Sequence, residues 1–394
     1  MIRNRKKIFA VFYLIAIILY ISQGVLFEGT WFTSLSGVYV LFYGLINFFI
    51  VLKSKSHPFI FTCISYFMYW TLFIWLLFPK DYNFEGESIS TTTMLQYIIM
   101  VCCASFSFYR ISKFQLFGDI PLKCFTIVLG CLFVYNILHF DVTTLDAGEY
   151  NYSSANNKSY LLAALFPFYL LFWKNKIVMF SMMIASMIFV IFLLKRGTML
   201  CVASFLILTL YFSYKEAGAS KKKLRVWVMR ILVISFLCAA VYAISNIYQD
   251  NEIIQARLGQ DSSGRDIIYS KILKTWLNSN LLNLIIGYGP FSTIPLIGIY
   301  AHNDWLEILL DFGLVGMIIY LMITLVLLKK HCLDRQNYQY KTSFIICLLY
   351  IIIRSSFSMC IYELESILVF GFLGYTIGNK ERIDIKKYEN TVNS

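Results

Sequence analysis

One histidine and a few cations carry the chemistry that this chain can offer. His302 begins the stretch His302-Asn303-Asp304-Trp305-Leu306-Glu307, where a polar segment gives way to a hydrophobic run. An imidazole titrates near neutrality and can take a proton from a hydroxyl; in its structural role it bonds a loop carbonyl instead. Arg265 lies in Ser263-Gly264-Arg265-Asp266, which predicts a helix with Ser263 as N-cap and Asp266 at the third helical position. A cation in a first turn opposes the helix dipole. It makes sense if an anion binds there, held by the guanidinium and the free N–H groups together. The bland reading is a solvated arginine, or a bond to Asp261. Lys195-Arg196-Gly197 sits between two apolar runs, where ionisable groups are costly and usually paired or functional. Lys195 can snorkel to lipid phosphates, whereas Arg196, beside a glycine that permits close packing, is expected to meet a ligand or a buried acid. Arg354 interrupts Ile351-Ile352-Ile353 and needs an anion, either Asp311, Glu363 or a substrate. Arg257 is a weaker candidate. A base surrounded by cations points to a phosphate-bearing substrate.

The elements that must position these residues are membrane helices. The chain has 394 residues, 59% hydrophobic, 18% aromatic and 14% charged. Apolar runs of about 18 residues or more recur throughout, each long enough to cross a bilayer. The expected fold is all-α, a polytopic membrane helical bundle of about 12 transmembrane helices in a single integral membrane domain over 1–394. The predicted spans are 8–27, 33–52, 58–78, 93–109, 121–139, 159–173, 177–194, 197–213, 226–248, 305–328, 342–360 and 363–378. The first run is too long for a signal h-region and lacks a small-residue cleavage site. Two longer outer segments remain, 140–158 and 249–304. The second is expected to be partly helical, with Ile268, Ile272 and Trp276 forming an apolar stripe that lies on the outer membrane surface. Gly287-Tyr288-Gly289-Pro290 then breaks the chain, and Asp304 with Glu307 has capping-box spacing at the start of span ten.

The formal net charge of +12 raises the question of nucleic acid, but its distribution answers it. Of the 34 basic residues, all but Lys80, Lys158, Lys195, Arg196, Arg257, Arg265, Lys271, Lys274 and Arg354 fall on one side of the spans. That bias fits the positive-inside rule with both termini cytoplasmic, so the charge reports topology and no nucleic-acid partner is expected. The ten cysteines lie in or next to spans and are read as packing residues without disulfides. The four histidines are scattered, and neither zinc nor any cofactor is expected.

Taken together the motifs resemble the O-antigen polymerase and O-antigen ligase superfamily. Its signature is His, then Asn, Ser or Gln, nine residues, and Gly-x-x-Gly. Here that reads His302-Asn303, residues 304–312, then Gly313-Leu314-Val315-Gly316. Ser263-Gly264-Arg265 is similar to the family's Ser-Gly-Arg element, and Ile286-Gly287-Tyr288-Gly289-Pro290 to its Gly-x-Gly segment. Lys195-Arg196-Gly197 is similar to its Ser-Arg-Gly, with Lys in place of Ser. Asn156 and Asn157 before Ser159 loosely match an Asn-rich start to the sixth span. The resemblance covers roughly residues 150–330.

The resemblance implies a GT-C-like fold and a metal-independent glycosyltransferase acting on undecaprenyl-diphosphate-linked glycans, as donor and acceptor, at the periplasmic face of the inner membrane. His302 would then be the general base for the acceptor hydroxyl, or a close partner in activating it. Arg196 and Arg265 would bind the diphosphate and stabilise it as it leaves. Arg257, Arg354, Asn303, Tyr288 and Lys195 complete the expected substrate-binding set. A chain-length-regulating copolymerase is implied as a partner, beside membrane lipids. Ligases often continue with Thr-Thr after Gly-x-x-Gly. Met317-Ile318 stands there in this chain and favours a polymerase of O-antigen or capsule. A ligase acting on lipid A-core stays open, as does a flippase of lipid-linked oligosaccharide, although a transporter keeps its ionisable residues nearer the bilayer midplane.

Overall fold

Runs of apolar residues with few charges leave the backbone no partner but itself, and helices follow. The computed structural model describes residues 2–22, 31–54, 57–78, 81–84, 87–138, 149–192, 195–217, 264–332 and 337–392. The first helices are α1 (Ile2–Ile21), α2 (Trp31–Lys53) and α3 (Phe59–Leu77), then α4 (Thr91–Lys113) and α5 (Asp119–Leu138). They continue with α6 (Glu149–Tyr169), α7 (Lys176–Phe192) and α8 (Arg196–Ala217). Three short helices follow, α9 (Arg265–Leu277), α10 (Leu281–Ile286) and α11 (Thr293–Ile297). The chain closes with α12 (Asp304–Cys332), α13 (Tyr338–Phe357) and α14 (Ser366–Val392).

Among the described residues six helices are long and apolar enough to cross a membrane, namely α2, α3, α4, α8, α12 and α13, and two shorter apolar helices accompany them. The ninth predicted span, 226–248, lies outside the described residues, as does Arg257. Among the described residues the regular structure is helical except for one antiparallel hairpin, β1 (Asp81–Phe84) with β2 (Glu87–Ser90), which joins α3 to α4 and was not foreseen by the all-α reading.

α4 is the central helix and packs most extensively on α14. Small residues allow the approach: a Cβ at Gly374 would sit 1.9 Å from the Ser105 carbonyl oxygen, and one at Gly378 2.4 Å from that of Tyr109. The buried interior is aromatic and aliphatic, while Phe42, Phe49, Leu76 and Ile207 on outward faces stay more than half exposed, as lipid-facing positions do.

Three local expectations need correction. α9 begins at Arg265 with Gly264 as N-cap at φ +71°, no side chain caps it, and Asp266 is its second residue. Ser263 lies outside the described residues. The stripe Ile268, Ile272, Trp276 faces protein rather than lipid, packing with Ala301, Leu306 and Leu310. And α12 is capped by Asn303, whose Oδ1 accepts from Leu306 N at 3.2 Å, because Asp304 and Glu307 are committed elsewhere.

Candidate active site

α12 is the axis of the site. Its first eight residues carry three buried acids, Asp304, Glu307 and Asp311, and each ties down a different piece of backbone. Asp304 Oδ2 accepts from Ser355 Oγ at 2.8 Å, Cys360 N at 2.8 Å and Ile361 N at 3.2 Å, fixing the turn after α13. Glu307 accepts from Ala301 N at 2.8 Å and Thr293 Oγ1 at 2.5 Å, pulling the chain before α12 back onto the helix. Asp311 accepts from Phe291 N, Ser292 N and Ser292 Oγ at 2.8 to 3.0 Å. Buried carboxylates bonded this way act as rivets, since each would be costly without its donors.

His302 is caught between two of these ties. Ala301 before it is held by Glu307, and Asn303 after it caps α12 and donates from Nδ2 to the Ser356 carbonyl at 3.2 Å. The backbone of His302 takes φ +50° as a result. A non-glycine residue there carries roughly 1–2 kcal/mol of strain. Among the described residues neither ring nitrogen has a hydrogen-bond partner, and Tyr300 is the neighbouring ring at 6.5 Å.

Three cations stand around this histidine and behind it. Arg265 donates from Nη1 to the Phe357 carbonyl at 2.9 Å, next to the carbonyl that Asn303 takes, so α9 and α12 grip the same end of α13. Lys195, just ahead of α8, lies 4.9 Å from the centre of the Tyr160 ring. The guanidinium of Arg354 lies against the same ring at 3.8 Å. Gly197 makes this packing possible, for a Cβ there would meet Tyr160 Oη at 2.7 Å and Phe357 Cβ at 2.9 Å.

The charges act on one another. The His302 imidazole is held below its ordinary range by burial first, then by Arg265 and Lys195. It is therefore neutral and able to accept a proton. Burial, with Arg354 and Arg265, pushes the Lys195 ammonium down to about 8. Glu363 stands close enough to Lys195 to offset part of that repulsion. An imidazole beside two cations can bind an anion and receive a proton next to it.

Residues 180–321 match the family model described as O-antigen ligase. Over this segment the chain is similar to that family, in line with the resemblance carried by the His302–Gly316 motif. No curated protein matches the chain. The Gly-x-x-Gly that carries the resemblance, Gly313 to Gly316, has a physical meaning here. Gly313 breaks α12 at φ +65°, and a Cβ there would sit 2.3 Å from the Ile285 carbonyl oxygen. Gly316 leaves room for Trp70, whose Nε1 donates to the Phe312 carbonyl at 3.0 Å. The Gly-x-Gly segment fits into the break, Tyr288 N donating to Leu310 O at 2.9 Å and Gly289 N to Asp311 O at 3.0 Å.

Of the residues singled out in the sequence, Lys195, Arg265, His302 and Arg354 come together. Arg196 is the first residue of α8, beside Lys195, and the placement of its side chain lies outside what the structure describes. Arg354 is fully buried and committed to protein: Nη2 donates to Glu365 at 2.5 Å, Nε to Met359 O at 2.7 Å and Nη1 to Tyr350 Oη at 3.3 Å. Its anion is thus Glu365, not Asp311 or Glu363. Tyr288 turns away, its hydroxyl 2.6 Å from Ser279 Oγ, and Asn303 is used at both ends of its amide as cap and tie. Tyr160 and Glu363 belong to the cluster, and the first carried no signal in the sequence beyond lying near the Asn-rich start of span six. Glu363 was legible only as an acid facing stray cations. A separate apolar cavity of about 520 Å³ between α3 and α12, lined by Tyr66, Tyr69, Trp70 and Met322 among others, holds none of these residues.

Proposed function

We propose that this chain is a polysaccharide polymerase of the O-antigen or capsule type, transferring a glycan from undecaprenyl diphosphate to a sugar hydroxyl on a second lipid-linked repeat unit. The observation that supports it is the neutral His302 flanked by Arg265 and Lys195 at one end of the helical bundle. His302 takes the proton of the acceptor hydroxyl as its oxygen attacks the anomeric carbon. The bond from that carbon to the diphosphate oxygen breaks, and Arg265, Arg196 and Lys195 neutralise the departing diphosphate. These cations supply the charge that a divalent ion supplies in other diphosphate chemistry, so the reaction is read as metal-independent. The site faces the periplasm across the inner membrane, with both termini in the cytoplasm, in line with the distribution of basic residues. Undecaprenyl-linked donor and acceptor are the substrates, and a chain-length-regulating copolymerase is the expected protein partner.

A ligase reading has one observation in its favour, the match of residues 180–321 to the O-antigen ligase family. Met317-Ile318 after the second glycine supports the polymerase instead. The deciding experiment is the surface glycan pattern of a strain lacking the gene, complemented with wild type. A single repeat unit that wild type restores to a ladder means polymerase. Loss of surface glycan with long lipid-linked polymer accumulating means ligase. Unpolymerised lipid-linked units retained on the cytoplasmic face mean a flippase.

A further inference from the structure

We propose that α10 and the residues flanking it form a re-entrant segment set into the bilayer leaflet on the His302 side, with Leu277, Leu281, Leu282 and Ile285 facing acyl chains. The depth comes from two helices that serve as rulers. From Lys329, which with Lys330 marks the far membrane boundary, α12 climbs to its break at Gly313. That rise is about 24 Å at ~1.5 Å per residue, short of a hydrocarbon layer of about 30 Å. The second ruler is α3. Trp70 Nε1 meets the Phe312 carbonyl at 3.0 Å, and Phe59 to Trp70 rises about 17 Å. Phe78, at the end of α3, touches the place where a Cβ of Gly289 would stand. Both rulers put the Ile285–Gly287 backbone, which lies against Gly313, beneath the membrane edge, with Gly289 close to that edge.

Irregular backbone survives at such depth only when protein satisfies it. Here it does: Gly287 N donates to Asn283 O, Tyr288 N to Leu310 O and Gly289 N to Asp311 O, all at 2.9 to 3.0 Å. The side chains point the other way. Leu277 is 65% exposed, Leu281 73% and Leu282 62%. A contiguous patch of large apolar groups beside a membrane-spanning helix is solvated by lipid more favourably than by water. Lys271 and Lys274, exposed on α9 just before the patch, can reach headgroup phosphates while their stems stay with the apolar groups. The segment then holds α9, and Arg265 at its start, at headgroup level, where a lipid-linked diphosphate would lie. The inference concerns membrane placement alone and stands whether or not the transfer reaction is as read above.

The test uses full-length protein in phosphatidylethanolamine and phosphatidylglycerol liposomes, carrying Leu282→p-benzoylphenylalanine. Irradiation should give a phospholipid adduct at position 282 by mass spectrometry. A covalent dimer of the chain, an adduct to another protein, or no adduct at all would overturn the proposal. A spin label on Leu281→Cys, with the signal of the parent protein subtracted, gives an independent reading. Relaxation by oxygen should exceed relaxation by an aqueous nickel chelate, and more so than for a label at exposed Asp266. The reverse order would place the segment in water.

Discussion

Gly287 and Gly313 occupy each other's missing side chains: a Cβ on Gly287 would sit 2.3 Å from the Asp311 carbonyl oxygen, and one on Gly313 would sit 2.5 Å from Gly287 N. The loop and the broken helix are thus joined backbone to backbone. This contact sets the height at which the chain leaves α12 toward His302, eleven positions earlier in the signature. Gly313→Ala should therefore destabilise the protein by well over the roughly 1–2 kcal/mol of a left-handed alanine, since the clash is with backbone. Gly264→Ala is the control, also at positive φ but with open space around it, and should cost only about that much. Thermal unfolding of both in detergent separates the two effects. Equal, small losses would mean the loop docks elsewhere.

The role proposed for His302 predicts that its removal abolishes transfer. His302→Ala is expected to lower transfer by about 10²–10⁴-fold while the protein still inserts. The reading is the glycan ladder in complemented cells, with membrane levels of the protein measured alongside. An unchanged ladder would take His302 out of the mechanism.

Arg265 should act both as a ligand and as a field. Arg265→Lys keeps the charge but loses the fork, and a loss on the order of 1.5–3 kcal/mol in kcat/KM follows if the contact is to diphosphate. Full activity would reduce it to a surface charge. Arg265→Gln has a second consequence. Arg265 helps to hold the His302 imidazole below its ordinary range, so its removal raises that pKa. The neutral base is then lost at higher pH, and the acid limb of the pH–rate profile moves upward.

Lys195 governs the opposite limb. Its ammonium loses its proton near about 8, and the anion loses a counter-charge as pH rises through that value. Lys195→Arg keeps the charge at all working pH and should extend activity on the alkaline side. A profile unaltered above pH 8 would show that Lys195 is not felt by the reacting groups.

Arg354 should prove to be a strut. Cutting it to Met leaves Glu365 buried without its partner, a loss of about 3–5 kcal/mol. The double variant Arg354→Met with Glu365→Leu should recover most of that stability in a thermal melt. Recovery of stability without recovery of transfer would instead assign Arg354 a part in the reaction.

How much of this was readable beforehand follows from sequence separation. His302, Asn303 and the two glycines lie within one stretch, and the site's axis was legible from them. The helical part of 249–304 was also legible, though its Ile268–Ile272–Trp276 stripe turned to the protein because Leu306 and Leu310 of α12 offered a surface there. Apolar periodicity says that a face is buried and not against what. The same limit applied to Arg354: an anion was expected, whether an acid or a substrate, but the turn from Met359 to Glu365 chose Glu365 by fixing the backbone around it. Tyr160 was invisible because its role depends on α6 and α13 meeting across nearly two hundred residues.

The ties around Asp304 redraw the unit that evolution or an engineer could exchange. The matched segment ends at residue 321, yet Arg265, Asn303 and Asp304 all bond to residues 355–361 beyond it. A graft of residues 180–321 from a relative would arrive with its base and cations but with a foreign floor beneath them. A working chimera has to carry the α13–α14 junction along with the loop, so the exchangeable unit reaches past the signature to that distant turn.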